Sequence, residues 1–252
     1  MGEPKHSLII PFYRSASFLA RTLDEVLEWF DGRGESFEVL AVDDGSPDET
    51  WSTLEAYKRV HPRPELRLLR HGANRGKGQA IRTGVVAARG RFIYFTDADL
   101  TYRLSSLAGL MAALEEGADL AIGCRTHRDS RYEVAPSFFP VLFRRHLMGR
   151  FFNLLVRLFV VPGIRDTQAG LKGFTREAAA RIFPLGRLNR FSFDVELLFL
   201  ARKLGFTIAE RGVHFVYRKE PTTVRFLRDS FKMLRDMVRI RLGYHRGVYT
   251  GK

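Results

Sequence analysis

The chain of 252 residues has a single cysteine, Cys124, which excludes an intrachain disulfide and a metal site built from several cysteines. Both glycine-rich nucleotide motifs, GxGxxG and the Walker pattern GxxxxGKS/T, are also missing. The single cysteine fits a reducing compartment. No uncharged apolar run reaches the roughly 18 residues of a spanning helix, and the N-terminus lacks the apolar region of a signal peptide. We therefore expect a protein that does not cross a membrane by itself.

Acidic residues are scarce relative to basic ones. The 41 lysines and arginines outweigh 28 aspartates and glutamates and give a formal net charge of +13. Nucleic acid, an anionic membrane surface or a phosphorylated substrate would each suit this charge. Arginine greatly outnumbers lysine, which favours bidentate contacts with phosphate. A nucleic-acid-binding module is disfavoured, because the aromatic residues concentrate in an amphipathic segment instead of interleaving with a basic face.

An apolar run that ends in two carboxylates is the most informative stretch. Phe92–Phe95 is short and rich in β-branched and aromatic residues, so it predicts a buried strand, and Asp97 and Asp99 follow after one intervening residue. Open α/β sheets bind ligands at the carboxyl ends of their strands. Two oxygen donors there suit a divalent cation that bridges to a phosphorylated substrate. The alternative for an isolated pair is a turn or helix-capping role.

Strands and helices alternate over the first 125 residues, which predicts an α/β fold with a mostly parallel sheet flanked by helices. Strands are predicted at 7–11, 37–42, 66–69, 92–95 and 119–123, with helices at 16–30, from about 49, 79–88 and 105–116. Polar, glycine-containing clusters follow the second, third and fourth strands and would meet at one edge of the sheet. We expect one domain over 1–252, in which residues 1–125 could bind a nucleotide and residues 126–252 change in character.

The second half is predicted to carry two amphipathic helices, at about 138–161 and 222–242. The first has a wide apolar arc that would suit a membrane interface or a dimer contact, and the second has a basic stripe that would suit anionic lipid. The alternative for both helices is packing on the sheet or on a second subunit. Between them we expect a loop or edge strand at 165–174, a helix at 192–204 and one or two strands at 207–217.

Four short motifs follow the first four predicted strands: PFY at 11–13, VDDGSPDET at 42–50, NRGKG at 74–78 and DAD at 97–99. In this order and spacing they resemble the family 2 glycosyltransferases of the GT-A fold, and the resemblance covers nearly the whole chain. The segments DTQAGLK at 166–172 and FDVELL at 193–198 resemble the polyprenyl-phosphate sugar synthases of that family, the dolichyl-phosphate glucosyltransferase branch more than the mannosyl one. The resemblance implies an inverting transfer of a hexose from a nucleotide sugar to a polyprenyl phosphate. It also implies that 1–125 is the nucleotide-sugar half and 126–252 the acceptor half.

Roles on the donor side follow from this resemblance. It implies that Asp97 and Asp99 hold Mg²⁺ or Mn²⁺ against the diphosphate, with Asp99 also catalytic. The expected nucleotide-binding residues are Pro11, Tyr13, Asp43, Asp44, Arg75, Lys77, Asp97 and Ala98. Turn or capping roles are the alternative for the neighbouring aspartates, and a solvated charge is the alternative for Arg75.

On the acceptor side, the resemblance makes Asp166 the candidate catalytic base or acceptor-orienting carboxylate, with a structural loop aspartate as the alternative. Gln168 and Lys172 would contact the sugar or a phosphate. Arg218 and Lys219 would close over the diphosphate, or would form a plain solvated pair. Glu196 is expected to pack or pair on its helix instead of reacting.

One departure from the family pattern lies in the first loop, where Arg14-Ser15 replaces the usual Asn-Glu and removes any nucleotide contact made by that glutamate. UDP-glucose is the expected donor, with GDP-mannose and UDP-N-acetylglucosamine as alternatives. A sugar-nucleotide pyrophosphorylase would carry a glycine-rich signature after the first strand, which this chain does not have. The non-enzymatic alternative is a basic membrane- or nucleic-acid-binding module. We expect peripheral attachment to the cytoplasmic face of a membrane, and the sequence leaves a homo-oligomer open.

Overall fold

The computed structural model describes residues 2–133, 156–190, 192–216 and 226–249. In the first range the elements are β1 (His6–Phe12), α1 (Leu19–Asp31), β2 (Phe37–Asp43), α2 (Thr50–Val60), β3 (Leu66–Arg70), α3 (Lys77–Ala87), β4 (Phe92–Phe95), α4 (Leu104–Glu115), β5 (Leu120–Cys124) and β6 (Arg131–Glu133). The later elements are β7 (Lys172–Thr175), α5 (Arg176–Ile182), α6 (Phe193–Lys203), β8 (Ile208–Gly212), β9 (His214–Val216) and α7 (Phe226–His245). The first five predicted strands are confirmed to within about one residue at each end.

Among the described residues, seven strands form one sheet in the order β3-β2-β1-β4-β7-β5-β8. The pairs from β3 to β4 and the pair β5–β8 are parallel, whereas β7 is antiparallel to both β4 and β5. The predicted mostly parallel α/β sheet is therefore confirmed. The prediction of a loop or edge strand at 165–174 is wrong for its last residues, because β7 lies inside the sheet.

Neighbouring residues of β1, β2, β4 and β5 belong to two separate cores, as the twofold repeat of a strand requires. On one face, Ile9 of β1 belongs to the core that also contains Ile81 of α3 and Leu198 of α6. On the other face, Ile10 belongs to the core that contains Leu23 of α1 and Leu110 of α4. The fold thus has three layers, and both faces of the sheet are covered by helices.

Helix α7 packs on the first of these cores through Met237 and Ile240, which are buried. The prediction of a helix at 222–242 is confirmed for its described part. Of the amphipathic segment predicted at 138–161, only 156–161 lies within the described residues, and 156–159 are helical. None of the helices in the part of the chain that the structure describes is both long and apolar enough to span a bilayer.

Candidate active site

The loops after β1, β2, β3 and β4 lie at one edge of the sheet, because these strands run parallel and their carboxyl ends face the same way. They carry the four motifs identified in the sequence. The turn after β4 is closed by two hydrogen bonds: the amide of Leu100 donates to the carbonyl of Asp97 (3.1 Å), and the amide of Thr101 donates to Asp99 Oδ1 (3.0 Å). Leu100 takes a left-handed φ of 47°, which turns the chain sharply. Both aspartates are half-buried and lie next to the carboxyl end of β4.

Asp97 brings three segments together. Its Oδ1 forms an ion pair with the ammonium of Lys77, the first residue of α3. Its Oδ2 lies so close to Gly170 that a Cβ atom there would come within 1.9 Å of it. A glycine is thus required at 170, because any side chain would push the carboxylate away. Through this contact the loop before β7 forms one wall of the site.

The electrostatics of the two aspartates suit a bound cation. Burial raises the pKa of Asp99, and the neighbouring charge of Asp97 raises it further. Burial lowers the pKa of Lys77, but Asp97 and Asp194 outweigh that effect and hold the pKa above its ordinary value. One ammonium neutralises only one of the two carboxylates. Hard oxygen donors with excess negative charge fit Mg²⁺ or Mn²⁺.

Asp44 holds the loop that precedes α3. It is buried, and its two oxygens accept hydrogen bonds from His71 Nδ1 (2.7 Å), Asn74 Nδ2 (2.8 Å) and the amides of Arg75 (3.0 Å) and Gly76 (2.8 Å). His71 Nε2 contacts Thr83 Oγ1 at 2.9 Å. Asp44 therefore has a structural role, but through a loop distant in sequence and not through the local turn or helix cap given as the alternative, and a nucleoside contact through it stays a prediction.

Asp43 carries a buried acceptor without a hydrogen-bond donor. Its Oδ1 accepts the amide of Ser46 (3.1 Å), whereas Oδ2 has no hydrogen-bond partner and lies 3.5 Å from Arg70 Nε. Ser46 and Arg70, which contact this carboxylate, line a cavity of about 380 Å³ together with Gly45, His71 and Gly72. An orphaned carboxylate oxygen beside a cavity is suited to a ligand N–H or O–H.

The first loop is held against the second. The amide of Arg14 donates to Ser46 Oγ (3.1 Å), and the amide of Ser15 donates to Thr50 Oγ1 (2.8 Å). Tyr13 is half-buried, and the guanidinium of Arg14, which departs from the family pattern, lies 5.6 Å from the centre of its ring. The exposed Arg14 side chain thus covers one side of Tyr13.

Three other predicted nucleotide residues lie at the same edge. Pro11 and Ala98 are half-buried, and the carbonyl of Ala98 accepts a hydrogen bond from Thr22 Oγ1 (2.6 Å). The side chain of Arg75 is exposed. Their contacts with a nucleotide stay predictions.

The buried carboxylate of Asp166 forms an ion pair with the half-buried Arg125, a residue that the sequence reasoning missed. Arg125 Nε donates to Asp166 Oδ2 (2.7 Å) and Nη2 to Oδ1 (2.9 Å), while the amides of Arg125 and Gln168 also donate to this carboxylate (2.9 and 3.2 Å). Burial raises the pKa of Asp166, but Arg125 outweighs it and the pKa is lowered. Asp166 is therefore ionised and clamped. The position of Arg125 directly after β5 was the one available signal.

Lys172 lies in the core. It is fully buried, and its Nζ donates to Asp194 Oδ1 (2.7 Å) and to the carbonyl of Ala169 (2.6 Å). Burial lowers its pKa despite the partner carboxylate. The structure thus assigns Lys172 an internal partner, and its contact with a phosphate stays a prediction. Gln168 is half-buried beside Asp166, whereas Arg218 and Lys219 lie outside the described residues.

Another group of potential metal ligands, within the described ranges, lies at the amino end of β1, away from this edge. It consists of His6, Glu35 and Glu115. The ammonium of Lys5 contacts both carboxylates, so this group already has a cation of its own.

Comparison with known proteins identifies the family. Residues 7–183 match the model of glycosyl transferase family 2. A dolichyl-phosphate beta-glucosyltransferase of Dictyostelium discoideum is 34% identical over 98% of this chain and 76% of its own length. The corresponding Mus musculus protein is 35% identical over 98% of this chain and 78% of its own length.

Among solved structures, the fold resembles glucosyl-3-phosphoglycerate synthase from Mycobacterium tuberculosis, determined with Mn²⁺, uridine diphosphate and glucosyl-3-phosphoglycerate. The two share a TM-score of 0.64 and 19% identity over 95% of this chain and 79% of the other. The same synthase has also been solved with Mg²⁺ and uridine diphosphate. These likenesses confirm the expected family and the GT-A-like fold: the chain belongs to glycosyl transferase family 2 and is a glycosyltransferase.

Proposed function

We propose that this protein moves glucose from UDP-glucose to a polyprenyl phosphate, with inversion at the anomeric carbon. The observation that carries the proposal is the 34–35% identity, over 98% of the chain, to proteins named dolichyl-phosphate beta-glucosyltransferases. The proposed site of action is the cytoplasmic face of a membrane, where a water-soluble nucleotide sugar and a lipid phosphate can meet.

The donor would bind along the edge formed by the loops after β1 to β4. The orphaned Oδ2 of Asp43 supports a hydrogen bond from the base or ribose, and Pro11 and Tyr13 would border that pocket. The loop held by Asp44 presents Arg75 and Lys77 to the donor phosphates. Ala98 would lie against the nucleotide between the two metal ligands.

Asp97 and Asp99 would hold Mg²⁺ or Mn²⁺. A cation bound there supplies charge stabilisation for the departing nucleoside diphosphate. Lys77, which already contacts Asp97, would add a second positive charge near the same group. Asp99 therefore contributes to catalysis through the leaving group.

The acceptor needs positioning more than deprotonation, because a lipid phosphate is already ionised near neutral pH. One phosphate oxygen attacks the anomeric carbon, the bond from that carbon to the diphosphate oxygen breaks, and its electron pair leaves with UDP. No proton has to be removed in this step. The clamped, ionised Asp166 thus suits an orienting role, in which it holds Arg125 toward the phosphate. Gln168 and Lys172 would contact the sugar or the phosphate, and Arg218 and Lys219 would close over the diphosphate.

Donor choice is tested by offering UDP-glucose, GDP-mannose and UDP-N-acetylglucosamine with a short polyprenyl phosphate and Mg²⁺ or Mn²⁺. We expect glycolipid formation with UDP-glucose at least about tenfold faster than with either alternative, because discrimination of this size corresponds to one well-made polar contact. Product is measured by thin-layer chromatography of radiolabelled lipid. A preference for GDP-mannose would overturn the choice of sugar, and the lack of any glycolipid would overturn the acceptor.

An exposed apolar patch supports contact with the membrane. Leu158 is 63% exposed, Phe159 58% and Leu242 47%, and Arg241 of α7 joins the two segments by donating from Nε to the carbonyl of Phe159 (2.6 Å). Exposed arginines flank the patch on α7, at 235, 239 and 241. Apolar side chains bordered by arginine suit the interface of an anionic bilayer.

Replacing Leu158 and Leu242 together by serine should weaken binding to anionic phospholipid vesicles about tenfold or more, because each buried leucine contributes up to about 1.5–3 kcal/mol. Co-sedimentation with vesicles measures the effect. Val86→Ser, at an 81% exposed position of α3, is the matched control and should bind like the wild type. Equal sedimentation of all three proteins would exclude this patch as the membrane surface.

A further inference from the structure

The loop that would bind the donor phosphates packs directly on the segment before α6. The amide of Gly78 donates to the carbonyl of Asn189 (2.9 Å). A Cβ atom at Gly76 would come within 2.4 Å of the same carbonyl oxygen, and one at Gly78 within 2.7 Å of the Cβ of Phe193. Gly76 also has a left-handed φ of 98°. The position of Lys77, between these glycines, is therefore set by residue 189.

Glu196, which the proposed reaction does not use, holds the segment before α6 in place through its backbone amides. It is fully buried, and its Oε2 accepts the amides of Arg187 (2.9 Å) and Leu188 (2.8 Å). Its Oε1 accepts the hydroxyl of Tyr249 (2.8 Å), which follows α7. A buried carboxylate with three donors is a strong positioning element. Glu196 thus connects Tyr249, after α7, to the backbone that contacts Gly76 and Gly78.

Three more hydrogen bonds connect this segment and its neighbours to α3 and α7. Arg82 of α3 donates from Nη1 to Asn189 Oδ1 (2.7 Å) and from Nε to the carbonyl of Phe183 (3.2 Å). Ser192 donates from Oγ to Asp236 Oδ2 of α7 (2.8 Å). Residues 187–190 and Ser192 thus lie between α3 and α7 and have polar contacts with both.

We infer that Glu196 and Tyr249 are positioning residues for donor binding: through the backbone of 187–189 they hold the loop of Gly76, Lys77 and Gly78 in the conformation that receives the donor diphosphate. The inference rests on the proposed function only in naming a nucleoside diphosphate as the ligand. A direct consequence is that donor affinity depends on how the residues after α7 are docked. By linkage, donor binding also stabilises that docking.

Tyr249→Phe tests this inference with the smallest change, because it removes one hydroxyl and keeps the ring. We expect the Kd for UDP with Mn²⁺, measured by calorimetry, to rise about tenfold, because a hydrogen bond to a buried carboxylate is lost. The KM for the sugar donor should rise by the same factor, while kcat stays unchanged within about twofold. Tyr244→Phe is the matched control: the Tyr244 ring packs edge-on against Phe199 of the same helix α6, and its variant should bind UDP like the wild type.

Glu196→Gln provides a second variant, since it keeps the shape and one acceptor, and it should raise the same Kd. Hydrogen exchange at the amides of Gly78 and Leu188 should accelerate in both variants. Unchanged Kd, KM and exchange in folded Tyr249→Phe and Glu196→Gln would overturn the inference, as would a fall in kcat with an unchanged Kd. A wild-type protein that binds no UDP would instead overturn the proposed donor, so the two failures are distinguishable.

Discussion

Asp99→Asn should reduce glycosyl transfer by about 10³-fold or more, because it removes a charged metal ligand where negative charge develops on the leaving diphosphate. The shape of the side chain is kept, and the hydrogen bond from the Thr101 amide can be made to an amide oxygen as well. The measurement is initial rate at saturating UDP-glucose over a range of Mn²⁺ concentrations. Asp31→Asn, which removes half of a surface ion pair with Arg63, is the control and should retain full activity.

The melting temperature of Asp99→Asn shows whether Asp99 is a metal ligand or a structural residue. The folded-state pKa of Asp99 is raised above the ordinary value, so the folded chain holds this proton more tightly than the unfolded chain does. Ionisation of Asp99 above that pKa therefore costs the metal-free protein stability. We expect Asp99→Asn to melt at or above the wild-type temperature without metal, and Mn²⁺ to raise the melting temperature of the wild type only. Full activity in Asp99→Asn would remove it from the metal site.

Asp166→Asn should lower kcat/KM for the lipid phosphate about 10²-fold while the KM for the donor stays unchanged, since the bidentate clamp on Arg125 loses its charge and one acceptor. An orienting role also predicts the form of the pH profile. The acceptor is already ionised, so the variant should lose rate equally at all pH values. If the rate of the wild type rises with pH and that rise is absent in the variant, Asp166 is instead a general base.

A double-mutant cycle with Arg125→Gln completes the test. If Asp166 acts through Arg125, the double variant should be about as slow as either single one. Multiplied defects would mean that the two residues act independently. Activity near that of the wild type in Asp166→Asn would remove this aspartate from the catalytic machinery altogether.

The elements that a local pattern defines were predictable. Phe92–Phe95 is apolar throughout, short and followed by acids, and the structure has a strand with those bounds. Strand β7 was predicted only as a loop or edge strand, because Lys172–Thr175 contains a charged residue, a glycine and a threonine in four positions and has no readable period. Its lysine fits in a buried strand only because Asp194, far along the chain, neutralises it. That pairing is a tertiary fact, which no local propensity contains.

The positions of the site loops could be predicted, but their internal contacts could not. Asp43 and Asp44 are adjacent in sequence and look equivalent, yet one has four donors and the other has an oxygen with none. The difference arises from His71 and Asn74, which reach Asp44 only once β3 pairs with β2. Arg125 was missed for the same reason, since its meaning depends on Asp166, which precedes a strand in another part of the sequence.

The antiparallel strand between β4 and β5 also determines the order in which the chain can fold. Phe95 pairs with Lys172, so the sheet cannot close until the chain has been synthesised beyond Thr175. Until then the nascent polypeptide exposes the edge of β4, an apolar strand and a template for aggregation. Closure of such distant pairs is slow, because its entropy cost precedes its contacts. The two halves of the sequence therefore fold together. A chimera that takes one half from a relative must preserve β7, which pairs with β4 and β5.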